Sequence, residues 1–330
     1  MARILYGKEF AARIKASAEH GAIALRERGV HPCLAVIIVG NDPASEVYVR
    51  NKEKACAELG IRSRHISLPA ETTREELLAC IDELNADEEV HGILVQLPLP
   101  KPLPESSEEV LSRIDPRKDV DGFHPVSVGH LFLGTPGLRP CTPAGCIRML
   151  EYAGIRMEGA HAVIIGRSNI VGKPMASLLL NADATVTIAH SKTKNLKQLC
   201  ADADILVFTA GYSSSDKQWR VTMHDCSEAA EARKINVDAV ATASAALTKY
   251  GRSSATPPLF VFASSMAVHD GAPKGYAAHK RDAERALAAI APQVHSVSLR
   301  LSTVYGISAG ETTSTDLAAV GTGVIATWAR

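Results

Sequence analysis

Two side chains near the start of the chain have the spacing to share a proton-handling site. The segment NDPASEVYVRNKEKA places Tyr48 and Lys52 four residues apart on a predicted helix, hence on one face. A lysine that is partly desolvated beside an aromatic ring can act as an acid or a base near neutral pH. On spacing alone, the commoner explanation is a solvated lysine beside a packed tyrosine. Other residues must decide between these interpretations.

Two further polar residues could complete such a site. Gln96 ends the predicted strand GILVQ, and open α/β sheets place ligand contacts at the carboxyl ends of their strands. Asp121, in KDVDGFHP, precedes a glycine in a loop and could grip an amino-pyrimidine edge with two hydrogen bonds. The alternative is that Asp119 and Asp121 only cap turns.

A glycine-containing turn in the second half has the composition of a phosphate-binding site. In GRSNIVGKP, Gly166 at the turn and Gly172 at the helix start allow backbone amides to approach a pyrophosphate, with Arg167 and Ser168 between them. The turn does not match GxGxxG, so a plain strand-to-helix turn is the alternative.

The residues after the next strand bear on the choice of cofactor. A site for NAD usually carries an acid there, which holds the ribose hydroxyls. This chain reads AHSKTK instead, so that Ser191, Lys192, Thr193 and Lys194, with Arg167, offer hydroxyl and cationic donors to a ribose phosphate. The pattern therefore favours NADP over NAD.

Alternating strands and helices must position these residues. Strands are predicted at 33–40, 62–68 and 92–96, with helices at 7–28, 44–59 and 73–85 around them. Between Leu97 and Pro143 the pattern breaks into loops rich in Pro, Gly and Asp, where we expect the functional cleft.

A second alternation follows that break. Strands are predicted at 161–166, 185–190, 204–210, 259–264 and 294–300, with helices at 171–181, 227–250 and 276–290. The pattern predicts an α/β fold: an α/β domain over 1–145 and a Rossmann-like parallel-sheet domain over 146–313, with a cleft between them. A terminal helix at about 314–330 is expected to return to the first domain.

The bulk composition excludes several classes of protein. With 36 basic and 36 acidic residues the formal net charge is zero, so no electrostatic case exists for a nucleic-acid or membrane-surface partner. The apolar runs are of strand length, and the first residues lack a signal peptide, so cytosol is the default. The seven cysteines are scattered without a CxxC pair, which favours free thiols over disulfides or a metal site.

Long motifs in the first two thirds of the chain resemble one known family. VGNDPASEVYVRNKEKACAELGI, GILVQLPLP, DPRKDVDGFHPVSVGHL, PCTPAGC, GRSNIVGKPMA and ATVTIAHSKT occur in the order and spacing of the methylenetetrahydrofolate dehydrogenase/methenyltetrahydrofolate cyclohydrolase family. The resemblance covers residues 1 to about 211. It implies NADP-dependent oxidation of methylene-tetrahydrofolate, hydrolysis of the methenyl product to formyl-tetrahydrofolate, and a homodimer.

The same resemblance implies a role for each motif residue. Lys52 corresponds to the catalytic lysine, Tyr48 packs against the folate, Gln96 contacts the reacting part and supports Lys52, and Asp121 anchors the pterin. Ser45 and Pro98 line the cleft. Ser127 stands where the family usually has Asn, which puts a loop contact in doubt.

After residue 212 the chain departs from that family. A Pro-Gly-rich loop that helps close the family's sites does not occur. Instead, residues 205–306 resemble an extended, epimerase-like short-chain dehydrogenase/reductase, with its cooperating residues at Ser265, Tyr276 and Lys280 and Asn236 on the preceding helix.

Three interpretations follow from this mixed sequence. The first is the folate enzyme, and the second is a reductase or epimerase acting on a sugar nucleotide or alcohol through Ser265, Tyr276 and Lys280. The third is a non-catalytic fusion. The second family's glycine-rich turn is missing, which favours the interpretation that its segment only completes the sheet of the nucleotide domain.

Overall fold

The structure is a computed structural model of the 330-residue chain. It describes residues 2–41, 43–100, 103, 107–209, 232–250, 257–265, 276–290, 293–301 and 307–308. Within these ranges, side chains are not described at 9, 43–48, 250, 265, 276–277, 301 and 307–308. The terminal helix predicted at about 314–330 lies outside the described residues.

The chain divides into two compact units, which are considered separately. Residues 11–141 and 307–308, as far as they are described, form one unit, here called the three-stranded unit. Residues 1–10 and 142–302 form the other, here called the six-stranded unit. The boundary after residue 141 lies four residues before the predicted one at 145.

The three-stranded unit is built on a parallel sheet with the order β3-β2-β4. Its strands are β2 (Cys33–Val39), β3 (Arg62–Leu68) and β4 (Gly92–Val95), and its first helices are α1 (Gly7–Glu27), α2 (Pro43–Glu58) and α3 (Arg74–Ala86). β2 lies in the middle, where Ile37 pairs with Ile66 on one side and Val95 on the other. The continuous apolar run of β2 fits this place, because a central parallel strand is covered on both faces.

Local signals determine where α3 begins. Thr73 accepts a hydrogen bond from the backbone N–H of Glu76, and the Glu76 carboxylate accepts one from the backbone N–H of Thr73. This capping box satisfies two backbone donors that the first helical turn leaves unpaired, and such a cap contributes about 1 kcal/mol. Leu77, Ile81 and Leu84 then face the core.

The segment predicted as loops between Leu97 and Pro143 contains regular structure. It forms α4 (Glu108–Arg113), α5 (Pro125–Leu133), the short strand β5 (Leu138–Arg139) and the start of α6 (Cys141–Tyr152). Pro125 occupies the first turn of α5 and Gly134 ends it with φ of 70°. Proline and glycine therefore delimit this helix rather than exclude it, which is why the loop prediction was wrong here. β5 pairs with β11 (Ile307–Ser308).

The six-stranded unit has an entirely parallel sheet with the order β1-β10-β9-β8-β6-β7. Its strands are β1 (Ala2–Tyr6), β6 (His161–Ile165), β7 (Thr185–Ala189), β8 (Ile205–Phe208), β9 (Leu259–Ser265) and β10 (His295–Leu301). Its helices include α6, α7 (Gly172–Leu180) and α8 (Leu196–Ala201). A π-helical turn, Lys234–Asp238, leads into α9 (Ala239–Tyr250), and α10 (Tyr276–Ala289) follows β9.

Aromatic residues form the centre of the core of the six-stranded unit. The ring of Phe208 lies 6.3 Å from that of Phe260 and 6.4 Å from that of Phe262, measured between centroids. All three side chains are fully buried. β9 therefore packs into the same core as β8, which confirms the interpretation that the later part of the chain completes this sheet.

The first ten residues differ from the prediction, which placed them in the first domain. β1 pairs with β10 in parallel register, Ala2 beside Ser296 and Tyr6 beside Arg300. The chain thus begins in the six-stranded unit and crosses to the other unit within α1. Sequence patterning could not show this pairing, because the partner strand lies almost 300 residues away.

A buried ion pair joins three elements of the six-stranded unit. The Glu284 carboxylate on α10 accepts hydrogen bonds from Arg300 Nε (3.1 Å) and Nη2 (2.7 Å) on β10 and from Ser264 Oγ (2.6 Å) on β9. The side chains of Arg300 and Glu284 are only 16% and 7% exposed. The guanidinium also lies 5.4 Å from the ring centroid of Tyr6. Among the described residues, no helix is long and apolar enough to cross a membrane.

Candidate active site

Lys52 and Gln96 form the centre of a polar cluster in the three-stranded unit. Lys52 lies on α2 and is half-buried, and its Nζ donates a hydrogen bond of 3.0 Å to Oε1 of Gln96. The Gln96 amide is oriented by its own Nε2, which donates to the carbonyl of Leu97 at 2.8 Å. Its backbone N–H donates to Ile37 O on β2, which fixes the strand end. The structure therefore brings together two of the predicted site residues.

Asp121 belongs to the same cluster. Burial raises the pKa of Asp121 from 3.8 to about 6, the positive charge of Lys52 opposes this rise, and the charge of Asp119 adds to it. The side chain keeps some exposed surface. Gly122, with φ of 68°, leaves no room for a side chain, since a Cβ would lie 2.9 Å from backbone atoms of Arg139. The loop is therefore held tightly at the residue after Asp121.

Asp119 has a structural role that separates it from Asp121. It is 1% exposed, and its Oδ2 accepts from the backbone N–H of His124 (2.8 Å) and from Ser127 Oγ (2.7 Å). For this residue the turn-capping alternative is correct. Ser127, where the family usually has Asn, lies on α5 and donates its hydroxyl to Asp119 in the preceding loop.

Three other predicted residues lie near this cluster in sequence. Ser45 and Tyr48 are positions of α2. Tyr48 follows Ser45 by three residues and precedes Lys52 by four, but the side chains of Ser45 and Tyr48 lie outside the described part. That Tyr48 shares a pocket with Lys52 stays a prediction. Pro98 is exposed and follows Leu97 through a cis peptide bond.

The glycine-containing turn in the six-stranded unit is tightly folded. A Cβ on Gly172 would lie 2.4 Å from Gly166 O and 2.8 Å from Arg167 N, so only glycine fits at the start of α7. Gly166 has φ of 133°, and its N–H donates to Ala189 O at 2.9 Å. The glycines let the backbone pass this closely, but the N–H groups of Gly166 and Gly172 both donate within the unit, the second to Ser168 Oγ, so neither is the donor to a pyrophosphate.

Ser168 closes the turn from inside. Its Oγ accepts from the backbone N–H groups of Val171 (3.1 Å) and Gly172 (3.2 Å). The hydroxyl proton remains available to a ligand. Arg167, next to it, is exposed.

The residues after β7 carry exposed donors beside this turn. Ser191, Lys192 and Lys194 are exposed. Thr193 Oγ1 accepts from His190 N at 2.8 Å, and its hydroxyl proton can still be donated, so its predicted place beside a ribose phosphate stays a prediction. The sequence interpretation did not assign His190 any role.

The second predicted set is only partly described. Lys280 is buried, its Nζ donates to Ala263 O at 2.7 Å, and it lies 4.5 Å from the ring centroid of Phe262. Burial lowers the pKa of Lys280 to about 8. Asn236 is 1% exposed. The side chains of Ser265 and Tyr276 lie outside the described residues, so a joint site with Lys280 stays a prediction.

No three His, Cys, Asp or Glu side chains in the described part of the chain are grouped so as to hold a metal ion.

Two family models match this chain. Residues 5–121 match the catalytic domain of tetrahydrofolate dehydrogenase/cyclohydrolase, and residues 140–219 match the NAD(P)-binding domain of the same family. The first match contains Lys52, Gln96 and Asp121, and the second contains both turns of the cofactor region.

Curated relatives agree with these matches. The chain is 56% identical over 209 residues to the bifunctional protein FolD of Campylobacter concisus, which is 63% of this chain and 73% of that relative. It is 52% identical over 211 residues to the protein of the same name from Agathobacter rectalis, covering 64% of this chain and 75% of the relative.

Solved structures extend the similarity of fold. The crystal structure of the bifunctional FolD methylenetetrahydrofolate dehydrogenase/cyclohydrolase from Campylobacter jejuni aligns with a TM-score of 0.71 and 32% identity, over 100% of this chain and 99% of that one. A methylenetetrahydrofolate dehydrogenase from Bombyx mori aligns with a TM-score of 0.65 and 28% identity, over 99% and 95%.

Proposed function

The chain belongs to the tetrahydrofolate dehydrogenase/cyclohydrolase family, and we propose that it is a bifunctional enzyme of one-carbon folate metabolism. It oxidises methylene-tetrahydrofolate with NADP and hydrolyses the methenyl product to formyl-tetrahydrofolate. The observation that carries this proposal is the hydrogen bond from Lys52 to an oriented Gln96 beside a partly desolvated Asp121. The three-stranded unit holds the folate and the six-stranded unit binds the dinucleotide.

Lys52 handles protons in the hydrolysis. Water adds to the electrophilic methenyl carbon and loses a proton, the bond from that carbon to one ring nitrogen breaks, and the nitrogen takes up a proton. An amine within reach of both groups can accept the first proton and deliver the second, and such acid–base help contributes typically 10²–10⁴-fold. Gln96 orients Lys52 Nζ by accepting one of its N–H groups through Oε1; in the amine form the lone pair of Nζ accepts the proton of water, and the ammonium so formed delivers a proton to the nitrogen.

Asp121 holds the pterin. The amino-pyrimidine edge presents two N–H donors side by side, which match the two oxygens of an ionised carboxylate. With a pKa of about 6, Asp121 is mostly ionised at neutral pH and can accept both. The family resemblance assigns Ser45, Tyr48 and Pro98 to the folate cleft, with Tyr48 packing against the folate.

The turns of the six-stranded unit bind NADP. When bound, NADP accepts the hydride that leaves the one-carbon bridge, which yields the methenyl cation and NADPH. The Gly166–Gly172 approach admits the pyrophosphate, and Ser168 donates its free hydroxyl proton there. Arg167, Ser191 and Lys192 supply the donors for a ribose phosphate, since no acid stands after β7 to select a free hydroxyl.

The setting of the enzyme is part of this proposal. We place it in the cytoplasm as a homodimer with a reduced folate as its substrate, as the family resemblance implies. Neither nucleic acid nor membrane is a partner.

One assay tests the proposal. The chain is incubated with methylene-tetrahydrofolate and NADP while the absorbance of NADPH and of methenyl-tetrahydrofolate is followed. Hydrolysis is measured separately from added methenyl-tetrahydrofolate. We expect Lys52→Met to abolish the hydrolysis and Tyr276→Phe to leave both reactions unchanged. The reverse pattern would support the reductase or epimerase interpretation, and no reaction together with no thermal shift from folate or NADP would support the non-catalytic fusion.

A further inference from the structure

The turn that follows β7 is closed by three internal hydrogen bonds. Thr193 N donates to His190 O at 2.8 Å, and His190 N donates to Thr193 Oγ1 at 2.8 Å. Lys192 N donates to the imidazole Nδ1 of His190 at 3.1 Å. The first and fourth residues of the turn are therefore tied to each other twice, once through a side chain.

Of the four backbone N–H groups of the turn, these bonds use all but that of Ser191. The N–H groups of His190, Lys192 and Thr193 are all used within the turn. Ser191 has neither its N–H nor its hydroxyl in a hydrogen bond with another described residue, and it is exposed. The turn thus presents two donors of Ser191, with the ammonium of exposed Lys192 next in sequence.

The turn lies at the same sheet edge as the glycine-containing turn. β7 and β6 are neighbouring parallel strands that end together, Ala189 beside Ile165. Gly166 N donates to Ala189 O, the carbonyl immediately before His190. The carboxyl ends of parallel strands lie at one edge of the sheet. Arg167 follows the end of β6 and Ser191 follows the end of β7, so both residues come after neighbouring strand ends at that edge.

We propose that Thr193 and His190 are positioning residues that set the preference of this enzyme for a dinucleotide with a 2′-phosphate. Thr193 acts through its Oγ1, which closes the turn, and His190 acts through Nδ1, which fixes the backbone of Lys192. Neither touches the phosphate. Together they hold the donors of Ser191 and Lys192 toward it. This inference rests on the proposed binding of NADP to the six-stranded unit.

The chemistry of each group makes the proposal specific. Thr193 needs an oxygen at Cβ as an acceptor, a role that serine can fill and valine cannot. His190 needs an unprotonated Nδ1 as an acceptor two residues before the donor, a role that the side-chain oxygen of asparagine fills in turns. Each position therefore has one substitution that removes the acceptor and one that keeps it.

Binding of NADP and NAD to the full chain, measured by isothermal titration calorimetry, tests the inference. The two ligands differ only in the 2′-phosphate, so their ratio of affinities reports the subsite alone. We expect Thr193→Val to weaken NADP roughly tenfold to a hundredfold, the usual effect of losing well-placed hydrogen bonds to a charged group. NAD affinity should change less than about twofold, and Thr193→Ser should restore NADP binding.

The second pair of variants tests the same turn from its other end. His190→Ala should lower the NADP preference, and His190→Asn should retain it. Unchanged NADP preference in both Thr193→Val and His190→Ala overturns the inference, as does an equal loss of NADP and NAD, which would show a purely structural role. If the unmodified chain binds NADP no more tightly than NAD, the proposed preference for NADP is wrong, and this inference is wrong for the same reason.

Discussion

Lys52 and Gln96 are 44 residues apart in sequence, and the ammonium of the first donates to the amide oxygen of the second at 3.0 Å. The amide cannot turn over without losing its own hydrogen bond to Leu97 O. The pair is therefore a directed contact between α2 and the end of β4, in which the oxygen faces the lysine. A solvated lysine beside a packed tyrosine would not need this arrangement.

Gln96→Leu should slow the hydrolysis of methenyl-tetrahydrofolate about tenfold to a hundredfold, because the lysine loses the acceptor that orients it. The folate affinity should fall much less, so the effect should appear in kcat rather than KM. The pH–rate profile should change shape, since a misplaced amine no longer governs the proton step. Gln198→Leu, an exposed glutamine on α8 of the other unit, is the matched control and should leave the rate unchanged.

The affinity for tetrahydrofolate should rise with pH through about 6. Burial raises the pKa of Asp121 to about 6, and only the ionised carboxylate accepts both N–H groups of the pterin edge. Below pH 6 we expect the affinity to fall approximately tenfold per pH unit, as the protonated form becomes dominant. Calorimetry under anaerobic conditions between pH 5 and 8 measures this. Asp121→Asn should bind weakly at every pH, and a parallel pH dependence in that variant would contradict the assignment.

The same carboxyl should affect stability with the opposite sign. Because the pKa of Asp121 is raised from 3.8 to about 6, the folded chain binds this proton more tightly than the unfolded chain. Its contribution to stability is therefore greatest below pH 4, decreases as the pH rises to 6, and is constant above that. Asp121→Asn should gain about 2 kcal/mol relative to the original chain between pH 4 and 7, a value reduced for partial exposure. Urea unfolding of both proteins across this range measures the difference.

Much of the fold could be predicted from continuous apolar runs. β3 spans Arg62–Leu68 as predicted, and β2, β6, β7 and β9 agree to within one residue. Of these, β2, β6 and β9 are buried parallel strands with consecutive apolar residues, whereas β3 is mostly exposed and β7 only partly buried. β1 could not be predicted, since four of its five residues are exposed and its only partner among the described strands is β10.

The site could be predicted less completely than the fold. The resemblance identified Lys52, Gln96 and Asp121, and the structure joins the first two by a hydrogen bond and brings Asp121 near enough for the charge of Lys52 to lower its pKa. The sequence KDVDG could not show that Asp119 is the structural residue and Asp121 the candidate site residue. This difference depends on the hydrogen bonds that Asp119 accepts from Ser127 and His124 further along the chain. The role of His190 depends on a turn that closes through side chains, which composition does not reveal.

Gly172→Ala should destabilise the six-stranded unit and weaken NADP binding. The added methyl group would lie 2.4 Å from Gly166 O, and both elements are backbone, so one must move. Overpacking of this kind typically costs about 1–3 kcal/mol, and the displaced backbone loses its close approach to the pyrophosphate. Gly129→Ala is the control, since nothing lies within 4 Å of its added Cβ on α5. Thermal unfolding with and without NADP should separate the two variants, and equal behaviour would contradict a close-packed cofactor turn.

Glu284→Gln should destabilise the chain by about 3 kcal/mol, although Glu284 lies far in sequence from the residues proposed to bind folate and NADP. The substitution keeps the shape and removes the charge that neutralises Arg300. A guanidinium that is only 16% exposed then loses the negative charge of Glu284, and this loss dominates the cost. Glu151→Gln removes the partner of Arg148 in a more exposed pair, 22% and 42%, and should cost less than about 0.5 kcal/mol. Urea unfolding compares the two. α10 and β10 lie beyond both family matches. Equal costs would show that the ion pair between them does not stabilise the sheet. The expected difference would show that this part of the chain stabilises the dinucleotide-binding unit.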